Sequence, residues 1–201
     1  MTSTEIKKYI AEAVGAMALT LIVIISLAGE FSVSTPVLAG LTLTLFFYTI
    51  GHLSGTHINP AITIGAWSIK KISNKDAIAY IVAQFFGSAI AIITATACSI
   101  EFTKLTLSNN SLVIGFAELL GTAFFAFGVA SALYSRTPKD IAGMIIGFSL
   151  FFGIAISTLL GANGIINPAV AFGVKSFDLI YVLAPVLGAV AGMQAYKYLS
   201  E

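Results

Sequence analysis

One short stretch occurs twice in this chain, first as His57-Ile58-Asn59-Pro60-Ala61 and again as Ile165-Ile166-Asn167-Pro168-Ala169. Asparagine is a favoured N-cap, and proline is tolerated at the first helical position because its missing N–H would have no partner there. Each copy therefore predicts the start of a helix. The apolar segments that follow, 60–68 and 168–176, are shorter than the roughly 20 residues that a bilayer-spanning helix needs. Half-length apolar segments at matching places indicate re-entrant half-helices around a binding or permeation site.

The two copies belong to a longer internal repeat. Residues 11–15 (Ala-Glu-Ala-Val-Gly) recur as 117–121 (Ala-Glu-Leu-Leu-Gly), and residues 83–87 are similar to 184–188. These matches occur in the same order along both halves of the chain. They predict a single domain over residues 1–201, with one repeat at about 8–100 and the other at about 112–199.

The composition indicates a protein whose solvent is lipid. Charged residues make up 9% of the chain, whereas a soluble domain carries about 25%, and the mean hydropathy is +0.98. Six apolar segments are long enough to span a bilayer; they cover residues 10–28, 36–53, 76–100, 112–134, 141–161 and 178–199. With three spans per repeat, the second repeat enters the membrane from the opposite side. The prediction is an all-α membrane protein with six transmembrane helices and two half-helices in an inverted 3+3 repeat.

The basic residues predict the orientation of these spans. If the six spans alternate, most lysines and arginines fall on one side, and Lys104 and Lys175 fall on the other. The richer side holds Lys7, Lys8, Lys70, Lys71, Lys75, Arg136, Lys139 and Lys197. By the positive-inside rule, both termini of this integral membrane protein are expected in the cytoplasm, with the cell membrane as its location.

Several function classes have no support in the sequence. The net charge of +1 favours neither nucleic acid nor an acidic partner, and the single Cys98 excludes an internal disulfide. The histidines are His52 and His57 alone, so no metal site is expected. No nucleophile–base pair is visible. We therefore expect no catalytic residue, no enzyme activity and no cofactor.

Residues 51–63, Gly-His-Leu-Ser-Gly-Thr-His-Ile-Asn-Pro-Ala-Ile-Thr, resemble the first signature of the aquaporin, or major intrinsic protein, family. The resemblance extends over essentially the whole chain. It implies a passive channel for water and small uncharged solutes, formed as a homotetramer with one pore per subunit. It also implies that backbone carbonyls line the pore, from Gly55, Thr56, His57 and Ile58 in one half and from Asn163, Gly164, Ile165 and Ile166 in the other.

The asparagines and the half-helices supply the expected selectivity against ions. The positive dipole ends of two half-helices meet at the membrane centre and oppose cations, protons included, as is general for aquaporin-type pores. The side-chain amides of Asn59 and Asn167 can donate hydrogen bonds to an oxygen that passes between them.

The chain departs from the family at the outer constriction. Typical members have arginine after the second Asn-Pro-Ala, where this chain has Val170. The other constriction positions fall on Ala39, Gly164 and Ile154, or on Ala155 if the loop insertion is placed differently. This ring is small, aliphatic and uncharged, so we predict relaxed selectivity that extends to glycerol, urea, ammonia or dissolved gases. The alternative is that neighbouring phenylalanines fill the space.

Two acids and two histidines have competing interpretations. Glu12 and Glu118 lie in apolar spans, where ionisable groups are rare and face the protein interior. The family resemblance favours hydrogen bonds to the re-entrant loops over a proton relay. For His52 and His57, pH gating is the lesser alternative to packing within the loop.

Two rival functions remain open. A secondary transporter can also have inverted repeats and broken helices, and a structural or junctional protein can keep the fold with an occluded pore. Passive, non-saturable flux in liposomes distinguishes a channel from both.

Overall fold

The computed structural model describes residues 2–29, 32–101 and 111–201, so Lys104 lies outside the described residues. Regular structure in these ranges consists of eight α-helices and one 3₁₀ turn, Lys139–Ile141, which leads into α6. The α-helices are α1 Ser3–Ala28, α2 Thr35–Ser54, α3 Pro60–Ser68, α4 Asn74–Ala97, α5 Ser111–Leu133, α6 Ala142–Leu159, α7 Pro168–Gly173 and α8 Leu179–Ser200.

Six of the described helices are long and apolar enough to cross a membrane. They are α1, α2, α4, α5, α6 with its preceding turn, and α8, which confirms the predicted spans. The largest difference is at the start of α1, which begins at Ser3 rather than at residue 10. Thr2 caps this helix: its hydroxyl accepts from the Glu5 N–H at 3.2 Å, and the Glu5 carboxylate accepts from the Thr2 N–H at 2.8 Å. This reciprocal cap stabilises a polar first turn ahead of the apolar segment.

The two half-helices begin where the sequence predicts and differ in length. Helix α3 covers 60–68 as expected, whereas α7 ends at Gly173 and not at residue 176. The chain turns there because Lys175 has a left-handed φ of 56°. The Ser176 N–H then donates to the Ala171 carbonyl at 2.9 Å, which closes the helix end as in a Schellman motif.

The packing of the helices is that of an inverted repeat. Helix α1 packs on α2 and α4, as α5 packs on α6 and α8, while α3 lies against α8 and α7 against α4. Helices α2 and α6 meet at Gly40 and Gly147, whose contact is reciprocal. A methyl group on Gly40 would lie 2.7 Å from the Gly147 carbonyl oxygen, and one on Gly147 would lie 2.5 Å from the Gly40 carbonyl oxygen.

We call two residues repeat mates when this symmetry relates them. Mates are 106 residues apart between α1 and α5, 107 apart between α2 and α6, and 108 apart between the two re-entrant loops and half-helices. Asn59 and Asn167 are mates, as are Glu12 and Glu118.

Glycines bring the long helices into backbone contact. A methyl group on Gly87 of α4 would overlap the Ala13 carbonyl oxygen of α1, and one on Gly188 of α8 would overlap the Leu119 carbonyl oxygen of α5. Small residues at helix interfaces permit such close approach inside a membrane, where van der Waals packing drives association.

Candidate functional site

The site is built on the two asparagines that begin the half-helices. Asn59 Oδ1 accepts from the Ala61 N–H at 2.8 Å, and Asn167 Oδ1 accepts from the Ala169 N–H at 3.0 Å. Both residues cap a helix whose first residue is proline, Pro60 or Pro168. The capping oxygen faces its own helix, so the side-chain NH2 group of each asparagine points away from it.

Each asparagine also reaches across to the other half of the chain. Asn59 Nδ2 donates to the Ile166 carbonyl at 3.0 Å, and Asn167 Nδ2 donates to the Ile58 carbonyl at 3.1 Å. Both asparagines are buried, with 1% and 2% of their surface exposed. The two half-helix N-termini therefore face each other, and each amide keeps a second N–H that these bonds do not use.

The residues before the asparagines have an unusual backbone. Ile58 and Ile166 have φ values of 39° and 41°, a region that is costly for a β-branched residue. Two buried carboxylates hold them there. The Ile58 N–H donates to Glu12 at 2.7 Å, and the Ile166 N–H donates to Glu118 at 2.6 Å. In this conformation the carbonyls of Ile58 and Ile166 each face the asparagine of the other half.

Glu12 is part of a larger polar network. It also accepts from the His57 N–H at 2.9 Å, the Ser54 hydroxyl at 2.7 Å and Gln84 Nε2 at 2.7 Å. Gln84 Nε2 lies 3.0 Å from the Thr63 hydroxyl as well, so it links α4 to α3. Gln84 was not predicted as a site residue, although a primary amide inside an apolar span is a signal that could have identified it.

Glu118 holds the second loop with a different set of donors. It accepts from the Ile165 N–H at 3.0 Å and the Ser157 hydroxyl at 3.0 Å, in addition to the Ile166 N–H. Asn163 Nδ2 in the same loop donates to the Tyr181 hydroxyl of α8 at 2.5 Å. Ser157 and Tyr181 were not predicted, because nothing in their local sequence sets them apart from other residues of their helices.

One cavity of about 180 Å³ lies between the asparagine pair and the end of the molecule opposite the termini. We call it the outer cavity. It is bordered by Asn167 and, farther out, by the ends of α1, α2 and α6. The four residues predicted for the constriction, Ala39, Ile154, Gly164 and Val170, all line it. Ala155, the alternative to Ile154, is not among the lining residues.

Gly164 is required in this ring for steric reasons. Its φ is 65°, and a methyl group there would lie 2.5 Å from the Thr158 hydroxyl and 3.0 Å from the Ile154 carbonyl oxygen. The absence of a side chain at Gly164 leaves the loop carbonyls next to the cavity.

A second cavity, also of about 180 Å³, lies on the side of the asparagine pair that carries both termini. We call it the inner cavity. Of the eight residues predicted to offer carbonyls, Gly55, Thr56 and His57 line it, while Asn163, Gly164 and Ile165 line the outer cavity. Ile58 and Ile166 line neither, because their carbonyls accept from the opposing asparagines.

The two histidines have different surroundings. His57 is buried at the wall of the inner cavity, with its ring against Tyr80 at a centroid distance of 5.4 Å and Nδ1 3.2 Å from the Thr63 hydroxyl. His52 is exposed near the end of α2. In the part of the chain that the structure describes, no group of three His, Cys, Asp or Glu residues can hold a metal ion.

Comparison with known proteins agrees with this geometry. Residues 1–196 match the family profile described as Major intrinsic protein. The chain belongs to that family. Major intrinsic proteins are membrane channels and not enzymes, and the six apolar helices make this one an integral membrane protein.

Several proteins of known name resemble this major intrinsic protein. Aquaporin AqpM of Methanothermobacter thermautotrophicus is 33% identical over 186 residues, which are 81% of this chain and 74% of that protein. Probable aquaporin AqpM of Archaeoglobus fulgidus is 30% identical, with 100% of both chains covered. In structure, the chain is similar to the aquaglyceroporin from Plasmodium falciparum, with a TM-score of 0.71, 20% sequence identity and coverage of 98% and 96% of the two chains.

Proposed function

We propose that this major intrinsic protein is a passive channel for water and small uncharged solutes that excludes ions at its midplane. The observation that carries the proposal is the pair of reciprocal bonds from Asn59 and Asn167, which joins two opposed half-helices between an outer and an inner cavity. Donors and positive dipole ends meet there, so a neutral solute with an oxygen finds a partner while a cation is repelled.

The outer ring supports relaxed selectivity for uncharged solutes. The ring carries no charge and no aromatic side chain; it consists of Ala39, Ile154, Gly164 and Val170. The free-energy cost of entering it is therefore lower for a solute with aliphatic carbons than the cost of entering a charged ring. Phenylalanine, which was the alternative occupant of the space, is absent from the residues that line the outer cavity in the described structure. We therefore extend the expected solutes from water to glycerol, urea, ammonia and dissolved gases.

The test is a stopped-flow panel on proteoliposomes with water, glycerol, urea and ammonia. A channel gives flux above that of empty liposomes and linear in the gradient. Val170→Arg places a long cation in the outer ring, and it is expected to suppress glycerol and urea more than water.

The matched control is Val33→Arg, which adds the same side chain before α2 at a residue that is 37% exposed and does not line the outer cavity. It is expected to leave the permeabilities to all four solutes unchanged. Equal suppression of all four solutes by Val170→Arg would contradict relaxed selectivity at the outer ring, and flux equal to empty liposomes would contradict the channel itself.

A secondary transporter is less well supported than a channel. Ion coupling needs carboxylates that can bind and release an ion at the midplane. The carboxylate oxygens of Glu12 and Glu118 instead accept hydrogen bonds from loop N–H groups and from hydroxyls. Saturable uptake driven by a second gradient would favour the transporter, and the absence of any flux would favour a structural role.

The remaining expectations rest on the family and on the distribution of charge. We infer one channel domain over residues 1–201, a homotetramer with one pore per subunit, a place in the cell membrane, both termini in the cytoplasm and no enzymatic activity. The mass of the detergent-solubilised protein, measured by light scattering, tests the tetramer.

A further inference from the structure

The repeat symmetry relates the two cavities residue by residue. Every residue that lines the inner cavity, with the exception of Ala132, has a repeat mate that lines the outer cavity. The cavities are therefore two versions of the same architecture. Differences between mates show where the side chains that line one cavity are larger than those that line the other.

The mates of the outer ring form a second ring in the inner cavity. We call it the inner ring: Phe47, Thr56, Ile62 and Ile146. At every position the inner side chain is larger than its mate. The pairs of mates, with the inner residue first, are Phe47 and Ile154, Thr56 and Gly164, Ile62 and Val170, and Ile146 and Ala39.

The mouths of the two cavities differ in the opposite direction. Gly51 and Gly55 on the inner side have Thr158 and Asn163 as their mates on the outer side. Relative to the outer side, the inner side therefore has larger side chains at the ring and smaller ones at the mouth, while both cavities have a volume of about 180 Å³.

The inner-ring side chains have little freedom to move aside. Ile62, Thr56 and Ile146 are buried, with 1%, 3% and 4% of their surface exposed. The Phe47 ring is held between two glycines: a methyl group on Gly143 would lie 2.8 Å from Phe47 Cδ1, and one on Gly51 would lie 3.5 Å from Phe47 Cδ2. Close packing of this kind leaves few voids into which such side chains can move.

We propose that the inner ring, rather than the outer ring, sets the largest solute that this channel passes. The inference rests on the proposed channel function and assigns its size selectivity to Phe47, Thr56, Ile62 and Ile146. The outer ring, where major intrinsic proteins typically have arginine, has the smaller side chain at each of the four positions in this chain.

The test exchanges residues between mates. The double variant Phe47→Ile with Ile146→Ala gives the inner ring the residues that the outer ring already holds at the same positions of the same fold. Proteoliposome flux is measured with glycerol, erythritol and xylitol, which form a graded series of neutral polyols. The expected result is a rise of about tenfold in the erythritol-to-glycerol permeability ratio, which corresponds to a barrier lower by about 1.4 kcal/mol.

A comparison variant widens the outer ring. Ile154→Ala is expected to change the same ratio by less than about twofold, well below the tenfold step that about 1.4 kcal/mol produces. Thr56→Gly serves as a second inner variant if the double variant does not fold, because Thr56 has a left-handed φ of 52° that glycine adopts without strain.

The outcomes separate this inference from the proposed function. A ratio that shifts with Ile154→Ala as much as with the inner variants, or an unchanged ratio in inner variants that still conduct water, overturns the inner ring as the size filter. Wild-type protein that conducts neither water nor glycerol overturns the channel function, and the inference with it.

Discussion

The side-chain amide of Asn59 donates a hydrogen bond to the carbonyl oxygen of Ile166, 3.0 Å away in the other half of the chain. Asn59→Asp keeps the oxygen that caps α3 but removes this donor and adds a negative charge at the midplane. We expect cation conductance in planar bilayers to rise by about tenfold, the effect of lowering an ion's barrier by about 1.4 kcal/mol.

Asn74→Asp is the control for added charge, since Asn74 is exposed at the first position of α4. It is expected to leave the conductance unchanged. If both variants behave alike, the barrier to cations does not depend on the asparagine pair.

Glu118 supports the second loop through its charge. The N–H groups of Ile165 and Ile166 now donate to different oxygens of Glu118, Oε1 at 3.0 Å and Oε2 at 2.6 Å. In Glu118→Gln an NH2 group replaces one of these oxygens, so one of the two N–H groups would face a donor. Hydrogen bonds to charged groups are each worth about 1.5–3 kcal/mol. We expect a lower midpoint of thermal unfolding in detergent and reduced water flux. Glu201→Gln, at the exposed C-terminus, should change neither, and a neutral result for Glu118→Gln would show that the loop is held by other contacts.

Gly188→Ala tests the close approach of α5 and α8. A methyl group there overlaps the Leu119 carbonyl oxygen, and overpacking of this kind typically costs about 1–3 kcal/mol. We expect a lower thermal midpoint for the detergent-solubilised protein. Gly115→Ala on α5 is the matched control, because its nearest neighbour, Ile180 Cγ2, is 3.9 Å away. Equal midpoints in the two variants would mean that the helices can separate without loss of stability.

Cys98 offers a test of orientation. It is an exposed free cysteine that follows α4 at the end opposite both termini. If the termini are cytoplasmic, a membrane-impermeant maleimide added to intact cells should label wild-type protein. Cys98→Ser combined with Ser200→Cys should be labelled only after the cells are opened. The reverse pattern would invert the proposed topology.

The sequence predicted those features of the fold that depend on local chemistry. The start of each half-helix follows from Asn59-Pro60 and Asn167-Pro168, because capping and the missing proline N–H act within one turn. The six spans follow from the length of the apolar segments. The end of α7 at Gly173 was not predicted. It depends on the left-handed backbone of Lys175, and lysine is not a residue type that indicates such a turn.

The interior of the site was less accessible to sequence reasoning. Gln84 bonds Glu12, which lies 72 positions earlier in the chain, and only the packing of α1 on α4 brings them together. Sequence alone does not give the face of α6 that points into the outer cavity, so it could not decide between Ile154 and Ala155 for the outer ring. The inner ring was not predicted as a ring, although Thr56 was predicted as a pore residue. The mates of Phe47 and Ile146 become evident only when the α2–α6 contact at Gly40 and Gly147 is known.

The glycine contacts of the helix frame have a mechanical consequence. Helices α2 and α6 already touch backbone to backbone at Gly40 and Gly147, and α4 touches α1 at Gly87 in the same way. Lateral pressure from the surrounding lipid therefore finds little free space between these helices that it could close. We expect the distance between these helix pairs, and with it the width of the passage they enclose, to change little with lateral pressure.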